Sequence, residues 1–400
     1  MSAVTDKVSD KAGKFEASGS NQVGMRERNE RLVLTILRRQ GALPKADIAR
    51  ITGLSAQTVS VIMRALERDG LLEKGEKIRG KVGQPSVPMR LAPDGTYFLG
   101  LKVGRRSAEL TLVNFVGEEL GHIEEAYAYP TPEKALSFVQ KSVPKLCEVL
   151  PAGQRSRIAG MGIASPYFLW EWANVIGVDP AKMSGWKDFD LQKEVGALVD
   201  FPVFLGNDAT SACGAELTFG TTKAPADFLY IYIGYFVGGG VVLNGAVYAG
   251  RTGNAGAVGP FPVASHDGSS SQLVDKASLI GLERRLATQA DGNVPLSRLV
   301  SEYTDATNEV VEAWLDEAVK SLAQLILGAC SIIDFPAVLV DGNMPAALRE
   351  RIVARVTEEL DEMPLSGLIR PDLIEGSLGA KARPLGAASL PLSNRFMLQT

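Results

Sequence analysis

Three features of the 400-residue sequence point to a mixed α/β protein, with an N-terminal winged helix-turn-helix followed by a larger two-lobed body. Residues 29–68 carry apolar side chains at helical spacing in three short runs broken by turn residues. Residues 25–90 hold 14 Lys and Arg against 7 Asp and Glu, about +7, on a chain whose net charge is −4. Residues 1–24 hold three of each sign, which leaves about −11 for residues 91–400. From residue 97 onward, short apolar strands alternate with helices. A basic head on an acidic body fits a nucleic-acid-binding module joined to a part with another task.

The first run, Asn29–Gln40, sets Leu32, Val33, Ile36 and Leu37 on one stripe and stops at Gly41. Lys45–Thr52 forms a second helix with Ile48 and Ala49 inward. Gly53 supplies the permissive backbone of a tight turn, Leu54 plugs the gap, and Ser55 caps the third helix. That helix packs through Val59, Ile62, Met63 and Leu66. It turns Gln57, Thr58, Ser60 and Arg64 outward, residue types that suit base edges and phosphates in a major groove. Two short strands follow, Leu71–Lys74 and Val87–Leu91, around the basic, Gly-rich tip Arg79-Gly80-Lys81-Val82-Gly83-Gln84-Pro85. Such a wing lies on phosphates or in a minor groove. The expected DNA-contacting set is therefore Lys45, Ser55, Gln57, Thr58, Ser60, Arg64, Arg79, Lys81 and Gln84.

In the body, Tyr97–Val103 and Ser107–Asn114 read as strands joined by a turn at Gly104-Arg105-Arg106, with a second turn over Asn114–Gly117. Thr131–Leu150 opens with a helix start signal. Strands are expected over Ile158–Ile163, Pro202–Gly206, Phe228–Ile233, Gly238–Leu243 and Ala337–Asp341. Asn207-Asp208 leads into a helix of small residues through Glu216. A long helix covers about 307–333, and 384–392 reads as a short closing helix. A ligand is expected in the cleft between the two halves. The expected division is a disordered leader over 1–24, the winged head over 25–92, one lobe over 95–208 with a C-terminal helix near 384–395, and the other lobe over 209–383.

Composition narrows the function classes. With 46% hydrophobic and 22% charged residues the chain is globular. It holds no apolar run long enough to span a membrane and nothing like a signal peptide, so a cytoplasmic protein with no membrane partner is expected. Cys147, Cys213 and Cys330 are too scattered for a disulfide or metal pattern and read as buried thiols. The two histidines, His122 and His266, leave little room for His-based catalysis or a metal site.

The order of the winged head, LGLKVGRRSAELTLVNFVGEEL, FLGNDATSACGAE, YIYIGYFVGGGVVLNGAVYAG and GNAGAVG resembles the ROK family, the repressors and sugar kinases that share an actin-like sugar-kinase fold. The resemblance runs from about residue 25 to the end, and the winged head is similar to the repressor branch. It implies a homodimer or dimer of dimers on a two-fold operator, with a sugar or sugar phosphate in the cleft changing DNA affinity. Kinases of the family have a first phosphate turn like D-x-G-G-T. Here Lys102, Arg105 and Arg106 stand at the Asp, second Gly and Thr positions. Their second loop resembles G-T-G-I-G-G-G, whereas here Tyr235 and Phe236 bring bulk beside Gly238-Gly239-Gly240. Neither loop suits ATP, so no catalytic residue and no cofactor is expected. The family's zinc loop, a His followed by C-x-C-G-x-x-G-C-x-E, is also unmatched. Pro260 stands at the His, and no cysteine occurs from Gly259 to Gln272. Zinc is not expected.

Asp208 stands where the kinases carry a general base. It is read either as a ligand contact, with Asn207 beside it, or as part of an Asx turn capping the helix that follows. The family's Ala-Gly-Glu has become Ala255-Gly256-Ala257, which removes a carboxylate from the sugar site. Trp170, Trp172 and Trp186 lie in the segment that lines the family's cleft, and each either stacks on a ligand or packs in the core. Trp186, Ser165 and Gly256 complete the expected ligand set with Asn207 and Asp208. The function that follows is a sequence-specific repressor of carbohydrate uptake or metabolism genes, controlled by a sugar-like effector. A sugar kinase with an N-terminal appendage, or a ligand-blind regulator whose body only dimerises, are the competing readings.

Overall fold

The computed structural model describes residues 22–76, 87–264, 270–288 and 308–398. The head holds three helices, α1 (Gln22–Gln40), α2 (Lys45–Thr52) and α3 (Ala56–Arg68). The first starts seven residues before Asn29, where the sequence pattern places its beginning. Residues 22–24 are therefore helical, although the disordered leader is expected to run through 24. Gly53 closes α2 at a φ of 69°, in the left-handed region where a side chain is strained. The Ser55 hydroxyl accepts from the Thr58 N–H at 3.1 Å and caps α3. Strands β1 (Leu72–Lys74) and β2 (Met89–Leu91) pair antiparallel, Leu72 opposite Leu91, and form the base of the wing.

The body holds two five-stranded sheets. One is built from β3 (Tyr97–Val103), β4 (Ser107–Asn114), β5 (Glu119–Ala126), β6 (Ile158–Ser165) and β7 (Val203–Asn207), in the order β5-β4-β3-β6-β7. Helices α4 (Pro132–Cys147) and α5 (Leu191–Gly196) lie between its strands, and α6 (Asp208–Phe219) leaves the end of β7. The other sheet comes from β8 (Phe228–Ile233), β9 (Val237–Leu243), β10 (Ala246–Val247) and two late strands, β13 (Ala337–Gly342) and β14 (Asp372–Glu375). Between them lie a small hairpin, β11 (Pro262–Ala264) and β12 (Ser270–Gln272), and the helices α7 (Leu273–Ala277), α8 (Leu279–Ala287) and α9 (Glu309–Cys330). Helix α10 (Ala346–Glu362) joins β13 to β14, and α11 (Ala382–Phe396) ends the chain's regular structure.

The second sheet runs β10-β9-β8-β13-β14 and repeats the first sheet's topology. In each, three antiparallel strands come first in sequence, and two parallel strands extend the other edge of the first strand. Each lobe has its own core. Leu99, Leu101, Leu110, Phe138, Val139 and Met161 fill one. Leu229, Ile231, Trp314, Leu322, Ile326 and Val340 fill the other. A third cluster is shared between head and body, because Val33, Leu37, Ile48, Val59 and Leu66 pack with Phe98, Phe115, Leu392 and Met397. Rings of Phe98, Phe115 and Phe396 meet there at centroid distances of 5.4 to 6.3 Å.

Candidate functional site

Two surfaces carry the polar residues that the sequence singles out. On α3, Gln57 and Arg64 are exposed, and Thr58 and Ser60 are half-buried. The Ser55 and Thr58 hydroxyls lie 2.8 Å apart, and Arg64 Nε donates to the Ser60 carbonyl at 3.1 Å. Lys45, at the start of α2, is exposed. Val61, 49% exposed, shares the open face with Gln57 and Arg64 at i+4 and i+7 spacing. Its apolar side chain went unnoticed in the sequence. An exposed methyl pair between polar side chains is of the kind that can meet a thymine methyl. Arg79, Lys81 and Gln84, at the wing tip, lie outside the described residues.

The second surface is the cleft where the lobes meet. Its walls are the β3–β4 turn, the end of β7, the start of α6, the β8–β9 turn and the start of α11. A cavity of about 240 Å³ there is lined by Arg105, Trp172, Asn207, Asp208, Phe236 and Arg383, among others. Asn207 caps α6, its side-chain oxygen accepting from the N–H groups of Ala209 at 3.0 Å and Thr210 at 3.2 Å. The Asx cap of the helix is thus made by Asn207 and not by Asp208, and both residues line the cavity. Asp208 is 5% exposed, and its Oδ2 lies 3.3 Å from Nε of Arg383, itself 8% exposed. Neither atom makes an aligned hydrogen bond, so the contact is a charge pair. The Arg383 guanidinium also lies 4.4 Å from the centre of the Tyr232 ring. Burial works against its charge, but Asp208 and the other anionic groups around it outweigh burial and shift its pKa upward.

The β3–β4 and β8–β9 turns face one another. Arg105 lies over the Phe236 ring at 4.2 Å and the Trp172 ring at 5.7 Å. Burial lowers its pKa to about 10, partly offset by Asp208. Arg106 lies over the Tyr235 ring at 4.7 Å and donates to its hydroxyl at 3.1 Å, with the Glu283 carboxylate at 4.0 Å. Lys102 forms a 2.5 Å ion pair with Glu109. The Tyr127 hydroxyl holds the turn's shape by donating to the Gly104 or Ser107 carbonyl, at 2.6 and 2.8 Å. Cations from one lobe thus sit against aromatic rings and a carboxylate of the other.

The remaining expected ligand residues are not at this cavity. Ser165 and Trp186 line a neighbouring one of about 590 Å³, which shares Pro166, Tyr167 and Phe168 with the first. Trp186 is 5% exposed, donates its indole N–H to the Pro130 carbonyl at 3.1 Å and packs in the core of the first lobe. Trp172, not Trp186, lines the same cavity as Asp208. Gly256 has a backbone role. At a φ of 78° it packs on Gly240 so closely that a Cβ would come within 2.6 Å of the Gly240 Cα. Phe168, between the two cavities, holds a φ of 56° and is 51% exposed, a strained backbone at the mouth of the site.

Arg383 was the residue least visible from sequence, although one charge inside the small, apolar stretch 382–392 is itself a signal. Around the zinc position, Gly259, Pro260 and the hairpin residues 262–264 and 270–272 offer no thiolate or imidazole, and His266 lies outside the described residues. Cys213 and Cys330 are buried elsewhere and Cys147 is half-buried. Among the described residues, the donors there do not fit zinc.

Two family models match the chain, one on the body and one on the head. The model of the ROK family matches residues 98–393, and a model described as winged helix-turn-helix DNA-binding matches residues 26–73. A xylose repressor of Caldicellulosiruptor bescii is 23% identical over 372 residues, covering 86% of this chain and 89% of that protein. The crystal structure of a ROK family transcriptional regulator, a homologue of the E. coli MLC protein, superposes with a TM-score of 0.68 at 18% identity, over 94% of this chain and 98% of that one. A ROK family glucokinase from Streptomyces griseus, in complex with glucose and AMPPNP, superposes with a TM-score of 0.58 at 20% identity, over 74% of this chain and 98% of that one.

Proposed function

The chain belongs to the ROK family, and we propose that it is a sequence-specific, DNA-binding transcriptional regulator, a repressor of carbohydrate uptake or metabolism genes that answers to a sugar-like effector in the inter-lobe cleft. The observation that carries this reading is the winged head, with its open polar face on α3, packed into a core it shares with the sugar-kinase-like body. Gln57, Thr58, Ser60, Val61 and Arg64 face the major groove, and Lys45 with the wing residues Arg79, Lys81 and Gln84 holds the backbone or minor groove. The resemblance to a named xylose repressor supports repression and a carbohydrate signal.

The packing suggests how the two surfaces communicate. Helix α1 touches both lobes. Arg38 donates to the Phe115 carbonyl of the first lobe, and Arg39 donates to the Gly245 carbonyl in the β9–β10 turn of the second at 2.5 Å. A change in lobe angle on ligand binding tilts α1 and, with it, the recognition helix. Two such heads on a two-fold operator must match half-sites about one helical turn apart, roughly 34 Å, so a small tilt changes affinity strongly. The chain acts here as a homodimer or dimer of dimers in the cytoplasm.

Phosphoryl transfer is the second reading, and the cleft weighs against it. Asp208, at the position of the kinases' base, is engaged by Arg383, and the space between the phosphate turns holds Arg105, Arg106, Tyr235 and Phe236. The deciding experiment is fluorescence anisotropy on the DNA upstream of the protein's own gene, with excess non-specific competitor, beside a coupled ATPase assay over a sugar panel. Competitor-resistant binding without turnover is expected. Sugar-dependent ATP hydrolysis that Asp208→Asn abolishes would reverse the assignment.

A further inference from the structure

The cleft holds a half-buried cation whose Nε is shut off from solvent without a hydrogen-bond acceptor among the described residues. Arg105 Nε is buried and unpartnered, and the residue makes no hydrogen bond or ion pair among the described residues. Its guanidinium is sandwiched near Phe236 and Trp172, ring contacts that leave its N–H edge for a polar partner. The other charged groups nearby have partners. Asp208 serves Arg383, Glu109 serves Lys102, and Arg106 lies between Tyr235 and Glu283. Glu171, the other carboxylate lining the cavity, is exposed at its rim. The inner wall therefore presents two guanidinium groups, of Arg105 and Arg383, and one carboxylate, of Asp208. A buried donor without an acceptor is costly, and a planar guanidinium matches a carboxylate or phosphate with two parallel hydrogen bonds.

We infer that the effector is an anion, a sugar-like molecule carrying a carboxylate or phosphate that Arg105 receives, with Asn207 and Asp208 meeting its hydroxyls. This rests on the regulatory reading of the same cleft and narrows its ligand class. A neutral sugar fills the hydroxyl sites but brings the Arg105 guanidinium no anionic acceptor. The positions that once suited a nucleotide's phosphates have thus become the recognition element for the anionic end of a small molecule.

The test uses the full chain and five probes at low ionic strength: inorganic phosphate, D-glucuronate, D-glucose 6-phosphate, D-glucose and D-xylose. Thermal melts and titration calorimetry are run on the wild type, Arg105→Gln and Arg105→Lys. At least one anionic probe is expected to raise Tm. Its affinity should fall about tenfold to a hundredfold in Arg105→Gln, the worth of a charged hydrogen-bond pair, and less in Arg105→Lys. Glucuronate and glucose 6-phosphate separate a carboxylate from a phosphate, and inorganic phosphate alone reports the bare anion site. The inference is overturned if no anionic probe shifts Tm, if the shift survives Arg105→Gln, or if a neutral sugar binds as tightly as its acidic counterpart. Operator anisotropy of the same samples keeps the two readings apart. DNA binding without anion binding sinks only the effector class, and anion binding without DNA binding sinks only the regulator.

Discussion

Asp208 and Arg383 come from points 175 residues apart and meet almost out of reach of solvent, at 5% and 8% exposure. Removing one leaves the other's charge stranded. Asp208→Asn should therefore cost on the order of 3 kcal/mol of stability by urea denaturation. The double variant Asp208→Asn with Arg383→Met should recover much of that loss, since no buried charge is then orphaned. A single variant as stable as the wild type would mean that the pair is solvated and does not organise the cleft. Asp208 is legible in the sequence because Asn-Asp directly follows an apolar strand. Arg383 is not, because its partner is set by the docking of α11 beside α6, a contact that no local pattern encodes. Trp186 and Trp172 show the same limit. Spacing brings both to one segment, but only the packing decides that the first is held by the Pro130 carbonyl and the second faces the cleft.

Helices α2 and α3 match their expected extents closely, since amphipathic stripes, a left-handed glycine and a serine cap all act within a few residues. The cap is a direct stability lever. Ser55→Ala should destabilise the head by about 1 kcal/mol, seen as a lower midpoint in thermal unfolding. If the melt is unmoved, the cap contributes nothing to α3. On the open face of that helix, Arg64→Ala and Gln57→Ala should each weaken operator binding by about 1 to 3 kcal/mol in anisotropy, while binding to random DNA changes less. Equal losses on both DNAs would reassign these side chains to phosphate contact. Other elements escape the sequence for physical reasons. Strand β5 is an edge, exposed along most of its length, so its alternation is blurred by charge. Helix α10 carries Leu348, Ile352, Val356 and Leu360 in single file every fourth residue, a narrow stripe among charges that leaves 346–362 unassigned by pattern alone. The repeated sheet topology is equally hidden, because it resides in strand order and not in residue identity.

Taken as one object, the molecule is threaded by α6. Its first residue, Asp208, stands in the cleft. Its last, Phe219, lies under the Arg38 guanidinium at 5.5 Å, against Gly117. Twelve helical residues span about 18 Å, so one rigid rod joins the cleft to the head. Phe219→Ala should leave effector affinity within a few-fold of the wild type and reduce the effector's influence on operator binding by roughly 1 kcal/mol. Calorimetry and anisotropy on one preparation separate the two quantities, and an undiminished effector response would exclude this route. The shared cluster of Val33, Leu37, Phe98, Phe115 and Met397 has a different consequence, for protein engineering. A reader domain on a flexible tether can be exchanged to change a regulator's target. Here the seam between reader and sensor runs through solid hydrocarbon, so a foreign head grafted at the wing would expose oily surface on both sides of the join. Retargeting this protein is a matter of rewriting side chains on one helix in place, and relatives of this build should diversify their operators by point substitution within the head and not by shuffling it.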